Sequence, residues 1–154
     1  MRAVQTKRYL YIFNPWSNGQ RVFATATTGT MTYRRMVALA NTDKRLAARL
    51  QIYKHRVPEE LFDVAKDPDC LVNLIHHPKH QAELRKLCAT LDAWMVRSKD
   101  PMLEVFRKRD DAEFREAYVQ KLEKESAERR GNKRKKPKRK TGQIKPSQHQ
   151  GPRK

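Results

Sequence analysis

The last 26 residues, 129–154, hold twelve Lys/Arg and no Asp or Glu. This bounds the fold more tightly than any other feature, because a stretch that repels itself and has no apolar face cannot join a core. A disordered Lys/Arg-rich tail is therefore expected from Arg129 onward. Of the formal charge of +18, the first 128 residues keep +6, from 23 Lys/Arg against 17 Asp/Glu. The chain reads as a small, mildly basic domain with a strongly basic appendage. No run of about 18 apolar residues exists, so no membrane-spanning helix is expected. Met1-Arg2 is not followed by an apolar signal core or a small-residue cleavage site. Cys70 and Cys88 give neither a disulfide framework nor a zinc pattern.

Extended structure is predicted first. Residues 4–13, with Tyr9-Leu10-Tyr11-Ile12-Phe13 at their end, alternate and are rich in aromatic and β-branched side chains. Asn14-Pro15-Trp16-Ser17-Asn18-Gly19 reads as a turn, with Asn18-Gly19 supplying positive φ. Residues 21–25 can pair back as a second strand. Helical spacing follows: Tyr33, Met36, Val37 and Ala40 share a face behind Thr30 or Thr32 as N-cap. A break and new cap at Asn41-Thr42-Asp43 precede a second short helix bearing Leu46, Leu50 and Tyr53. Val57-Pro58 ends it, because the residue before proline disfavours helix.

Residues 60–64 alternate as a strand, and Asp67-Pro68-Asp69 is a turn. Pro78 opens the strongest helix, whose Leu84, Leu87, Cys88, Leu91, Trp94 and Met95 form one apolar stripe. Asp100-Pro101 starts a further helical turn through Phe106. Residues 107–128 form a charged helical extension marked by Phe114, Tyr118 and Leu122. The expected fold class is α+β: a small antiparallel sheet against a helix over residues 1–106, then the charged helix, then the tail.

No catalytic or metal site emerges from the residues themselves. His76-His77-Pro78-Lys79-His80 reads as a solvated helix entrance rather than a ligand set. Cys88 reads as a small core hydrophobe. Asp67 and Asp69 raise the pKa expected of Cys70, which argues against a reactive thiol. Asp110, Asp111 and Glu113 lack the spacing and turn glycine of a calcium loop, and suit a helix N-terminus. The basic run Lys133, Arg134, Lys135, Lys136, Lys138, Arg139 and Lys140 is a candidate polyanion-binding segment. The tail has no aromatic residue, so bases cannot stack on it and such binding would be non-specific.

One block carries a resemblance. Glu60-Leu61-Phe62-Asp63, a short spacer, Asp67-Pro68, and Asn73-Leu74 resemble the carboxy-terminal signature of the sulfatase family, Glu-Leu-Tyr-Asp, Asp-Pro, Asn-Leu. Residues 2–12 are similar to the first strand of that subdomain. The helix ending Leu91-Asp92-Ala93-Trp94-Met95, with Asp100-Pro101 after it, is similar to its closing helix. The nearest subgroup is that of the N-sulfoglucosamine sulfohydrolase (heparan N-sulfatase)-like enzymes, and the resemblance covers about residues 2–106. It departs at Phe62, which keeps the ring of the usual Tyr without its hydroxyl, and at Cys70, where an acidic residue is commoner.

The resemblance implies a small antiparallel sheet with one helix on its face, buttressing a catalytic domain as its partner. It implies family enzymes that use calcium and a formylglycine made from Cys or Ser in Cys/Ser-x-Pro/Ala-x-Arg, and that are usually exported. Cys70-Leu71-Val72-Asn73-Leu74 and Cys88-Ala89-Thr90-Leu91-Asp92 do not match that motif, so this chain by itself supplies no sulfatase nucleophile or calcium site. The expectation is a sulfatase C-terminal subdomain acting with a catalytic domain on sulfate esters or N-sulfated sugars. The alternative is a small basic protein that binds nucleic acid or other polyanions.

Overall fold

The computed structural model describes residues 1–22 and 26–135, the side chains of Ala26 and of residues 131–135 excepted. Three strands, β1 (Arg2–Gln5), β2 (Tyr9–Phe13) and β3 (Glu59–Asp63), form an antiparallel sheet in the order β1-β2-β3. Two helices, α1 (Met31–Leu39) and α2 (Lys44–Lys54), lie between β2 and β3 in sequence. After β3 come α3 (Gln81–Arg97), α4 (Leu103–Arg107) and α5 (Ala112–Lys135). The fold class is α+β, with α3 packed on the sheet.

The expected single strand over residues 4–13 is two strands. Thr6 folds the chain back: its hydroxyl accepts from the amides of Arg8 (3.3 Å) and Tyr9 (2.9 Å), and its own amide donates to Tyr9 O (2.8 Å). A threonine side chain here supplies the local acceptor that turns more often draw from Asn or Asp. Tyr11 then pairs with Val4 on one side and Leu61 on the other. The expected partner strand at 21–25 is displaced by this arrangement. Arg21 and Val22 lie outside the sheet, and residues 23–25 lie outside the described residues. Gly19 does adopt positive φ (+80°), but its amide donates to Arg56 O (2.9 Å), so the loop leads to the end of α2 rather than back along β2.

Alternation sets the core. Tyr11, Phe13 and Leu61 point to one face and are fully buried against Leu87, Leu91 and Met95 of α3 and Val105 and Phe106 of α4. Phe106 meets Phe13 edge-on at 5.2 Å between ring centroids, a favourable aromatic geometry. The predicted stripe is corrected at one position. Trp94 is 43% exposed, because Leu87, Cys88, Leu91 and Met95 complete the buried face and Trp94 falls on its flank. The buried set also extends past the expected end of the sheet domain, to Val119 in α5.

Caps fix the helix starts. Asp43 accepts from Arg45 N (2.8 Å) and Leu46 N (3.2 Å) to open α2, and Asp111 accepts from Phe114 N (2.9 Å) at the start of α5. Helix α5 continues to Lys135, so the first seven residues of the expected tail have helical backbone. The run crosses Gly131 among Lys and Arg, good helix formers whose propensity offsets one glycine's penalty of about 1 kcal/mol. The chain divides into two compact units, Met1–Lys121 and Leu122–Lys154. The first holds the sheet and core; the second holds the rest of α5, where Arg129 pairs with Glu125 at 3.1 Å.

Candidate functional site

The signature block folds as one strand and one stapled loop. Glu60, Leu61, Phe62 and Asp63 are all buried in β3. Beyond Asp63 the chain reverses, with the amides of Lys66 (2.9 Å) and Asp67 (2.8 Å) donating to Asp63 O. Asp67 next organises the loop: its Oδ2 accepts from the amides of Leu71 and Val72, each at 2.8 Å. Pro68 lies inside this turn. Asn73 then returns to the side of β3 facing away from β2, where its Oδ1 accepts from Leu61 N (2.9 Å) and Ile75 N (3.1 Å) and its Nδ2 donates to Glu59 O (3.2 Å). Leu74 N donates to Leu61 O at 2.7 Å. The structure thus brings Glu60, Leu61, Phe62, Asp63, Asp67, Asn73 and Leu74 together, and gives Asp67 and Asn73 a backbone-binding task suited to short polar side chains.

Carboxylates of β3 are held by arginines from distant elements. Arg8 donates through Nε (3.1 Å) and Nη2 (2.9 Å) to Asp63 Oδ2. The Arg8 hydrogen bonds hold the Asp63 carboxyl below the usual carboxylate range. Asp63 Oδ1 is buried without a hydrogen-bond partner. Arg56 donates to Glu60 Oε2 at 3.0 and 2.5 Å. At the far end of β3 the Tyr11 hydroxyl donates to Glu59 Oε1 (2.6 Å), the oxygen that also accepts from Arg109 Nε (3.1 Å). Burial, with the Glu59 charge beside it, pushes the Tyr11 phenol far above its ordinary value. Sequence reasoning had no handle on this cluster, because Arg109 is fifty positions from Glu59 and only folding joins them.

A cleft of about 420 Å³ opens next to this cluster, lined by Val57, Pro58, Glu59, Asn73, Ile75, His76, Arg109, Asp110 and Arg115. Glu59 and Asp110 offset its two guanidinium groups. Neither thiol is activated. Burial pushes Cys70 up, with Asp67 adding to the effect, and burial raises Cys88 as well. Cys70 also takes φ of 53°, a left-handed conformation that suits Gly or Asn better than Cys.

The histidine cluster has local partners. His77 Nδ1 accepts from Lys79 N (3.3 Å) at the short 3-10 turn Pro78–His80, and His80 Nδ1 lies 3.1 Å from the Tyr9 hydroxyl. Among the described residues, no group of three or more His, Cys, Asp or Glu is placed to hold a metal ion. None of the described helices is long and apolar enough to cross a membrane. Of the basic run, Lys133, Arg134 and Lys135 occupy the last turn of α5, while Lys136, Lys138, Arg139 and Lys140 lie outside the described residues.

Ion pairing across the fold is uneven. Residues 1–58 hold eleven Lys/Arg and one Asp/Glu, whereas residues 59–121 hold eleven Lys/Arg and thirteen Asp/Glu. Folding cancels much of this imbalance: Arg2 pairs with Asp100, Arg8 with Asp63, Arg21 with Glu116 and Arg56 with Glu60. The α1–α2 segment is the exception. Among the described residues, Arg34, Arg35, Lys44, Arg45 and Lys54 form no ion pair, and Arg49 reaches Asp69 only at 3.9 Å. No protein-family model matches the chain, and no curated protein matches it.

Proposed function

We propose that this chain is the C-terminal subdomain of a sulfatase, of the N-sulfoglucosamine sulfohydrolase (heparan N-sulfatase)-like kind. It supports a catalytic domain whose nucleophile and calcium ligands are not among these 154 residues. The observation that carries the reading is the use made of the signature polar residues. Asp67 and Asn73, two of the short polar side chains of the motif, each bind two amides of the same strand-loop unit, which gives their spacing a mechanical reason. The sheet with α3 on one face is the architecture that the resemblance implies. Neither Cys70 nor Cys88 stands in Cys/Ser-x-Pro/Ala-x-Arg, so on this reading the chain's part is packing and shape.

The test is the coding DNA upstream of Met1. A reading frame there, in frame or frameshifted, that encodes Cys/Ser-x-Pro/Ala-x-Arg is expected. A promoter and ribosome site directly before Met1, with no such frame nearby, overturns the reading.

A second reading rests on the twelve cations and absent acids of residues 129–154. These bind polyanions such as heparin or duplex DNA by charge alone. Affinity falls steeply with salt, with a log–log slope on DNA of about −0.9 per phosphate neutralised. Selectivity above about tenfold for one DNA sequence would contradict charge-only binding.

A further inference from the structure

We propose that the α1–α2 hairpin is a docking face for an acidic protein surface; on the sulfatase reading, from which this inference starts, that surface belongs to the catalytic domain. Three observations converge. Helix α1 has no buried residue, although Met31, Met36, Val37 and Leu39 lie on it; Met31 is 84% exposed. Arg34, Arg35 and Arg45 are exposed and unpaired among the described residues, while the cations of the sheet find carboxylates. The patch continues onto the signature loop: Arg45, Arg49 and Leu46 line a shallow cleft with Leu71, itself 40% exposed.

Composition and charge choose the occupant. Residues 31–54 carry Met, Arg and Tyr, types enriched at protein interfaces, with no Glu and a single Asp, beside four Ala and two Lys. Asp43 caps α2 and lines the same cleft, and it offsets only one of the six Lys/Arg of residues 31–54. A second copy of the chain would meet this face with like charge. A lipid surface needs a continuous apolar face with bulky anchors, whereas Val37 and Ile52 are barely a third exposed. A nucleic acid would use the arginines and leave Met31, Val37 and Leu71 in water. An acidic protein surface satisfies both the charges and the apolar side chains.

The experiment uses the full 154-residue chain and, as probe, the catalytic domain of a heparan N-sulfatase-like enzyme ended before its own Glu-Leu-Tyr-Asp block. The variants are Arg34→Glu/Arg35→Glu/Arg45→Glu on the hairpin and Lys79→Glu/Arg85→Glu as an exposed control outside it. Melting curves establish that both variants fold as the wild type does and that the probe itself is folded. Binding of the probe by wild type and control within about twofold of each other is expected, with the hairpin variant at least about tenfold weaker. Equal binding by the hairpin variant overturns the docking face and leaves the sulfatase reading standing. No binding by the wild type overturns the docking inference, and the upstream DNA then decides the reading separately. Hairpin-dependent loss of binding to a random duplex DNA, without loss of binding to the probe, assigns the face to nucleic acid and also overturns the proposal.

Discussion

The sheet with α3 and α4 and the α1–α2 hairpin are stabilised in different ways. In the first region the cations are spent on carboxylates and the aromatic side chains are buried: Tyr11, Phe13 and Phe106 are each at most 1% exposed. In the second, Leu50 is the one residue of the two helices that is buried, and most cations face solvent. The contrast separates a region whose sequence is answered within the chain from one whose sequence is left unanswered. Helix propensity and caps at Thr30 and Asp43 suffice to shape the hairpin; they do not give it a core.

Breaking the first region has the largest effect. Phe106→Ala removes a ring packed against Phe13 and Tyr11, and a loss of about 3–5 kcal/mol in denaturant unfolding is expected. Asn73→Ala comes next, at about 1–3 kcal/mol, since it strips the acceptor from two backbone amides on β3 and its loop. Trp94→Ala should cost no more than about half the Phe106→Ala loss, because the ring is already 43% in water.

Acid sharpens the same comparison. Hydrogen bonds from Arg8 and Arg2 hold Asp63 and Asp100 below the usual carboxylate range. Their folded pKa values are thus lower than the unfolded ones, so their contribution is present above about pH 4 and is lost as pH falls through the folded values. Arg8→Met should flatten part of this acid decline in a melting-temperature series at low pH. The hairpin should show the smallest effect: Arg34→Glu/Arg35→Glu is expected to change stability by less than about 0.5 kcal/mol. Amides of α1 should exchange with solvent well before those of β2, and equal protection would contradict the contrast drawn above.

Much of this was legible in the sequence. Apolar periodicity located β3 within one residue, Asp67-Pro68-Asp69 marked the turn after it, and the helix expected from Pro78 begins at Gln81, after a 3-10 turn over Pro78–His80. The stripe from Leu87 to Met95 was correct as a face, yet periodicity cannot tell a stripe's centre from its flank, and Trp94 fell on the flank. The reversal at Thr6 was missed because no Gly, Pro or Asn marks it; the turn depends on one hydroxyl meeting two amides. Pairing of β2 with β3, across 45 residues that include two helices, is set by which strand offers Leu61 to the core, and local pattern does not encode it. The Glu59, Arg109 and Tyr11 cluster was invisible for the same reason.

The Asn73 loop also has a consequence for self-association. A strand with an uncovered row of amides and carbonyls is a template for another chain, and β3 is denied that role because Asn73 and Leu74 occupy its outer side. The remaining open rim of the sheet is β1, only four residues long, with Arg2 at its start and Lys7-Arg8 just past its end. Short length and flanking charge both discourage strand addition. Any oligomer of this chain should therefore leave the sheet hydrogen bonding intact and be dispersed by salt or by surface substitution rather than by agents that compete for strands.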